Sequence, residues 1–120
     1  MTLEQQVVSF PLARKLKEVG VKQESYFWWN FNDHAPEQGW FLDDENLAYS
    51  KEHTVSAFTS GELGEMLPGM IASYGFTTRK YADGMFKCSY GQNIRRVADT
   101  EANARASLLI HLIEQGIYKV

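Results

Sequence analysis

The chain has 120 residues, 44% of them hydrophobic, and a net charge of −3; this is the size of one ordinary domain, with roughly two-thirds of its unfolded surface available for burial, so a single domain over 1–120 is expected. Its single cysteine excludes an internal disulfide and a Cys-rich zinc site, and the negative balance weighs against a general nucleic-acid binder. No apolar run approaches the roughly 18 residues that cross a bilayer, and the start of the chain lacks the basic and apolar parts of a signal peptide, so a cytoplasmic protein without membrane contact is expected.

In chain order, Val7 and Val8 are read as a short opening strand. Ser9 stands as an N-cap, Pro11 lies in the first turn, and Leu12, Ala13, Leu16 and Val19 form one face, which predicts a helix ended by Gly20. Ser25–Phe31 is too aromatic and too short for anything but a strand, and a polar loop then leads to a second strand over Gly39–Asp43. Alternation puts Phe27, Trp29 and Phe31 on one face and Tyr26, Trp28 and Asn30 on the other, so Trp29 is expected in the core and Trp28 at least partly accessible.

Residues Asp43–His53 are read as loop. Asp43, Asp44 and Glu45 lack the glycine-spaced oxygen ligands of a calcium loop and suit a solvated turn; no metal or cofactor is expected. Thr59 with Glu62 makes a capping box ahead of Leu63, Met66 and Leu67, predicting a short helix that stops at Pro68 and Gly69. Gly61 and Gly64 within it suit close packing or a nucleic-acid clamp. Phe76–Ala82, a two-residue turn at Asp83 and Gly84, and Met85–Tyr90 predict a second hairpin, and Asn93–Ala98 a third strand beside it. Thr100 caps the last helix and Gly116 ends it.

That last helix carries the most informative residue. At about 100° per residue, with Leu108 at zero, Leu112 falls at about 40°, Leu109 at about 100° and Arg105 at about 60°, inside the apolar stripe. A guanidinium keeps its proton, so burial demands a carboxylate, carbonyl acceptors or a path to water along its own stem. A buried ion pair or an anion site at Arg105 is expected, with Glu62 and Glu65 as the leading acidic partners. His111 lies just off the stripe, and a favourable interaction with the helix C-terminus accounts for it.

Charge is unevenly distributed. Residues 1–22 sum to +2, 23–66 to −8 and 67–120 to +3, which suits intramolecular complementarity or a dipolar surface that steers a partner. His34, His53 and His111 are isolated in the sequence and no catalytic motif accompanies them, so the chain is expected not to be an enzyme. Large apolar groups in excess of one domain's needs, Tyr26, Trp28, Trp40 and Ile110, are the candidates for a partner surface or a homodimer contact. The alternative is a single-stranded nucleic-acid binder holding phosphates with Arg79, Lys80, Lys87, Arg95 and Arg96, although the net charge makes nucleic acid the lesser expectation.

The runs Ser9–Gly20, Lys22–Ser25 leading into Trp28 and Trp29, Thr59–Pro68 and Thr100–Ile110 resemble, in that order, a group of small uncharacterised proteins from gut Bacteroides-type bacteria, their phages and mobile elements. The resemblance transfers no catalytic residue. It implies a mobile-element setting and a small non-enzymatic protein that binds one host or phage component. The expected fold is α+β: an antiparallel sheet of about four to six strands packed on one side by the N- and C-terminal helices, with the short middle helix at an edge.

Overall fold

A computed structural model describes residues 2–47 and 50–119. The fold is α+β, and its strands divide into two antiparallel sheets of three and four strands on either side of the helices. A four-residue helix α1 (Leu3–Gln6) precedes Val7 and Val8, which run beside residues 58 and 59: Val7 bridges to Thr59 and the Val8 N–H donates to the Phe58 carbonyl at 2.9 Å. Helix α2 (Phe10–Glu18) follows, with Pro11 in its first turn and Ala13 and Leu16 buried. Ser9 occupies the cap position, yet its hydroxyl makes no capping bond; instead its N–H donates to Asn103 Oδ1 at 2.8 Å and ties α2 to the last helix. Gly20, at φ +97°, closes α2 with paired bonds from Gly20 N–H to the Lys17 carbonyl and Val21 N–H to the Leu16 carbonyl.

The smaller sheet has the order β2 (Trp40–Asp43), β1 (Trp28–Phe31), β3 (Thr54–Ser56). Its register aligns Trp29 with Leu42 and Val55, and these face α2; Trp29 packs on the core and donates from Nε1 to the Val8 carbonyl at 3.0 Å. Trp28 projects from the other face and remains half-buried, as strand alternation requires. On that same face Asn30 is fully buried, donating to the Glu45 carbonyl at 2.9 Å and accepting from Leu47 N–H at 3.1 Å and Thr54 Oγ1 at 3.2 Å. One amide thus fastens the acidic turn across the sheet, and β3 arises at a run of three residues, Thr54–Ser56, too short to be read as a strand from sequence.

Helix α3 (Ser60–Met66) starts with both bonds of the expected capping box, Glu62 N–H to Thr59 Oγ1 at 3.2 Å and Thr59 N–H to Glu62 Oε1 at 3.0 Å. The larger sheet runs β4 (Met70–Ile71), β5 (Tyr74–Lys80), β6 (Phe86–Tyr90), β7 (Ile94–Ala98) in order, and helix α4 (Glu101–Glu114) lies across β6 and β7. The turn between β5 and β6 is one residue longer than expected. Tyr81 and Met85 close it, and Gly84 is its only positive-φ residue, so Ala82, Asp83 and Gly84 form a three-residue loop in which the Asp83 carboxylate accepts from Met85 N–H. Helix α4 touches α1, α2, α3, β6 and β7, and seven of its residues are buried. A helix enclosed on this many sides needs apolar residues off its main stripe as well.

The β4–β5 turn is strained. Ala72 at φ 49° and Ser73 at φ 75° occupy the two central positions of a two-residue hairpin turn, where glycine and asparagine are at ease and a Cβ is not. The double change Ala72→Asn with Ser73→Gly should raise stability by about 1–2 kcal/mol in urea denaturation; an unchanged or lower midpoint would mean the turn is relaxed in solution.

Candidate functional site

Arg105 sits where α3, α4 and β5 converge. Its side chain is 18% exposed; Nη1 donates to the Ser60 carbonyl at 2.7 Å, Nη2 reaches Thr78 Oγ1 at 3.3 Å, and Nη2 lies 3.5 Å from Glu101 Oε1 one turn earlier on the same helix. The guanidinium also lies over the Phe76 ring, 5.5 Å from its centre. Gly64 makes the space: a Cβ there would stand 2.5 Å from Nη1. Nε is buried without an acceptor among the described residues.

The acidic partner is therefore Glu101 and neither Glu62 nor Glu65. The Glu62 carboxylate is already used, by the Thr59 N–H of the capping box and by the Tyr26 N–H at 3.3 Å, and Glu65 is exposed. The pair at α4 was legible as an (i, i+4) Glu–Arg spacing. Ser60 Oγ donates to the same Glu101 oxygen, so the carboxylate joins both helix starts. Ser60 and Glu101 also line a cavity of about 490 Å³ together with Gln5, Lys80, Phe86 and Asp99. Cys88 lies on the buried side of β6: burial raises its thiol pKa against the opposing pull of Thr78 and Arg105, and the thiol stays protonated at neutral pH.

The four candidates for a partner surface do not come together. Tyr26 is 73% exposed. Trp40 lies on the α2 side of its sheet with its ring 4.4 Å from Phe10, Trp28 projects from the opposite side, and Ile110 is buried in the core because α4 is enclosed beyond its main stripe. Ile110 is thus corrected to a core residue. Two histidines also have partners that sequence distance concealed. His53 Nδ1 bonds the Asp33 carboxylate, joining the β1–β2 loop to the turn before β3, and His111 Nδ1 accepts from Arg96 Nη2 at 2.7 Å. Neither belongs to a cluster of three or more metal-ligating side chains among the described residues.

The basic strand residues divide between two faces. Cys88 pairs with Arg96 and Lys80 with Phe86 on the side toward α4, where Arg96 reaches His111 and the Lys80 ammonium lies 5.6 Å from the centre of the Phe86 ring. Arg79, Lys87 and Arg95 alternate with these and share the outer face with Thr77, Ser89 and Val97. Arg79 and Lys87 flank the Tyr81 ring at 5.7 and 6.0 Å, and the hydroxyls of Thr77 and Ser89 are 2.9 Å apart. None of the three outer cations forms an ion pair among the described residues, and β4 to β7 contain no Asp or Glu. Sequence spacing identified all five basic residues; the register separates three from two.

The Arg96 bond requires a neutral His111 ring, and burial followed by the Arg96 charge lowers the His111 pKa from 6.5 against a smaller opposing effect of Glu114. The unfolded chain therefore binds the extra proton first, so this contribution to stability is complete above about pH 6.5 and is lost as pH falls through the lower folded-state value. His111→Gln keeps an acceptor for Arg96 and removes the titration. Melting temperatures measured from about pH 7.5 to 5 should show the variant gaining on the parent as pH falls; a constant difference would contradict the assignment.

No family model matches the chain, and neither a curated protein nor a solved structure matches it.

Proposed function

We propose that the chain is a non-enzymatic protein-interaction module that binds an acidic protein partner on the outer face of its four-stranded sheet. The observation that carries this reading is the charge of that face: Arg79, Lys87 and Arg95 lie together with no carboxylate in any of the four strands. Cations without counter-ions on a sheet face attract an oppositely charged surface and speed its approach. Among the described residues, the acidic 23–66 segment of the same chain forms no ion pair with these three, which favours a foreign partner over internal complementarity. A phage or mobile-element setting, suggested by the resemblance of the helical segments, suits a small protein of this kind. A cytoplasmic location is part of the same proposal.

Single-stranded nucleic acid is the second reading, and Tyr81 between Arg79 and Lys87 favours it, since a ring flanked by cations can stack a base while they hold phosphates. Against it, the remaining outer-face positions of β5 to β7 carry Thr77, Ser89 and Val97 where a base-binding sheet has further rings. The test is fluorescence anisotropy with a ten-residue glutamate peptide and a ten-nucleotide thymidine strand. The peptide should bind with an affinity that falls as salt rises, and R79Q/K87Q/R95Q should weaken it by about tenfold or more at unchanged melting temperature. No peptide binding, or binding indifferent to the triple change, would refute the proposal; preferential binding of the thymidine strand would replace it with the second reading.

A further inference from the structure

The outer face ends at an open strand edge, and the backbone of that edge is as informative as the side chains. Sheet order leaves β4 and β7 at the edges, and because β4 covers only Tyr74 and Gly75, residues 77–80 of β5 also lack a strand neighbour on that side. There the residues whose backbone points outward, Thr78 and Lys80, carry their side chains on the face toward α4, whereas β7 is a free edge of five residues beside the outer face. The Arg95 carbonyl accepts from Arg96 Nη1 at 2.7 Å, so it points away from β6 into solvent. By the two-residue alternation of an antiparallel ladder, Val97 presents its N–H and C=O on the same side. Arg95 and Val97 are also the β7 residues whose side chains lie on the outer face; both are exposed, Val97 by 48%. The edge thus offers backbone donors and acceptors two residues apart, beside one cation and one aliphatic side chain.

We infer that the partner engages this edge with an extended acidic segment that adds to β7 as a fifth strand, placing a carboxylate beside Arg95 and, two residues along, an aliphatic side chain beside Val97. The inference rests on the proposed reading of the basic face as the binding surface. Cross-strand neighbours on one face interact directly, so an Asp or Glu next to Arg95 and a Val, Ile or Leu next to Val97 are the favourable choices. Inward from the edge, Lys87 stands beside Val97 and the buried, neutral Ser89 beside Arg95, so each of these two cross-strand rows carries a cation. The Arg96 guanidinium bond to the Arg95 carbonyl is exchanged for a backbone N–H of the incoming strand. Until then it blunts the edge, in the way charged side chains protect edge strands from unwanted pairing. An antiparallel pairing of two β7 strands centred on Arg96 is disfavoured, because it sets the two Arg96 side chains face to face.

The experiment uses the whole chain and four fluorescent eight-residue peptides. One is alternating, Glu-Ser-Val-Ser-Glu-Ser-Val-Ser, whose Glu and Val alternate along a single strand face; a block peptide of the same composition, Glu-Glu-Ser-Ser-Ser-Ser-Val-Val, has no Glu and Val two residues apart. The other two are the alternating peptide N-methylated at every second amide in each of the two phases, so that either edge is blocked. The alternating peptide should bind at least about fivefold more tightly than the block peptide. One N-methyl phase should abolish that advantage, and the Arg95 and Val97 amides should gain hydrogen-exchange protection on binding. Equal binding of alternating, block and both N-methylated peptides without amide protection would overturn strand addition while leaving the basic face as the binding surface. Failure of every acidic peptide to bind would overturn both.

Discussion

A permanently charged guanidinium that has lost most of its contact with water must find acceptors on several sides, and Arg105 finds them on three elements at once. The Ser60 carbonyl belongs to the first turn of α3, Thr78 to β5, and Glu101 to α4 itself. The exposed part of the Arg105–Glu101 pair contributes little by itself, since such a pair is screened and flexible. The charge-assisted bond to the Ser60 carbonyl and the enclosure by Phe76 and Gly64 matter more, because loss of any one leaves a cation with buried surface and too few partners. This contact fixes how α3 meets α4 and how β5 lies against both.

From that junction the rest of the architecture follows. Helix α4 is the inner layer that both sheets need: α2 lies between it and the three-stranded sheet, and β6 and β7 lie on its other side. Packing of Phe76, Cys88, Tyr90 and Ile94 toward α4 commits the alternate residues of the same strands to the other face, and these include Thr77, Arg79, Lys87, Ser89 and Arg95. The basic face is therefore the necessary reverse side of the packed one. Tyr90 illustrates how firmly the packed side is held: its hydroxyl donates to the Pro68 carbonyl just after α3, and burial pushes its pKa up to about 12.

Local signals were legible in the sequence wherever chain-neighbouring residues decide the structure. The capping box at Thr59 and Glu62, the glycine stops at Gly20 and Gly116, and the alternation that separates Trp28 from Trp29 all depend on spacings of a few residues. What was hidden depends on distant partners. Strand β3 forms because Thr54, Val55 and Ser56 complete a ladder on β1, and two β-branched residues are too short a run to announce a strand by themselves. Ile110 reads as outward-facing on a helical wheel because the wheel records only one covering layer, whereas α4 has neighbours on several sides. The expectation of Glu62 in place of Glu101 fails for a related reason: Glu62 already has two N–H donors, and its membership of a capping box is itself the clue that its carboxylate is occupied. The pairings of His53 with Asp33 and of His111 with Arg96 leave no periodic trace in the sequence.

Gly64 admits the Arg105 guanidinium that joins α3, α4 and β5, and the most direct test is a double-mutant cycle in urea denaturation with Gly64→Ala, Arg105→Met and the pair. With Arg105 present, the added methyl stands 2.5 Å from Nη1 and should outweigh the roughly 1 kcal/mol gain in helix propensity, so Gly64→Ala destabilises. In the Arg105→Met background the methyl has room and the same change should stabilise, giving an interaction energy of about 1–2 kcal/mol. Equal effects of Gly64→Ala in both backgrounds would mean that the guanidinium moves aside freely and does not hold the three elements together.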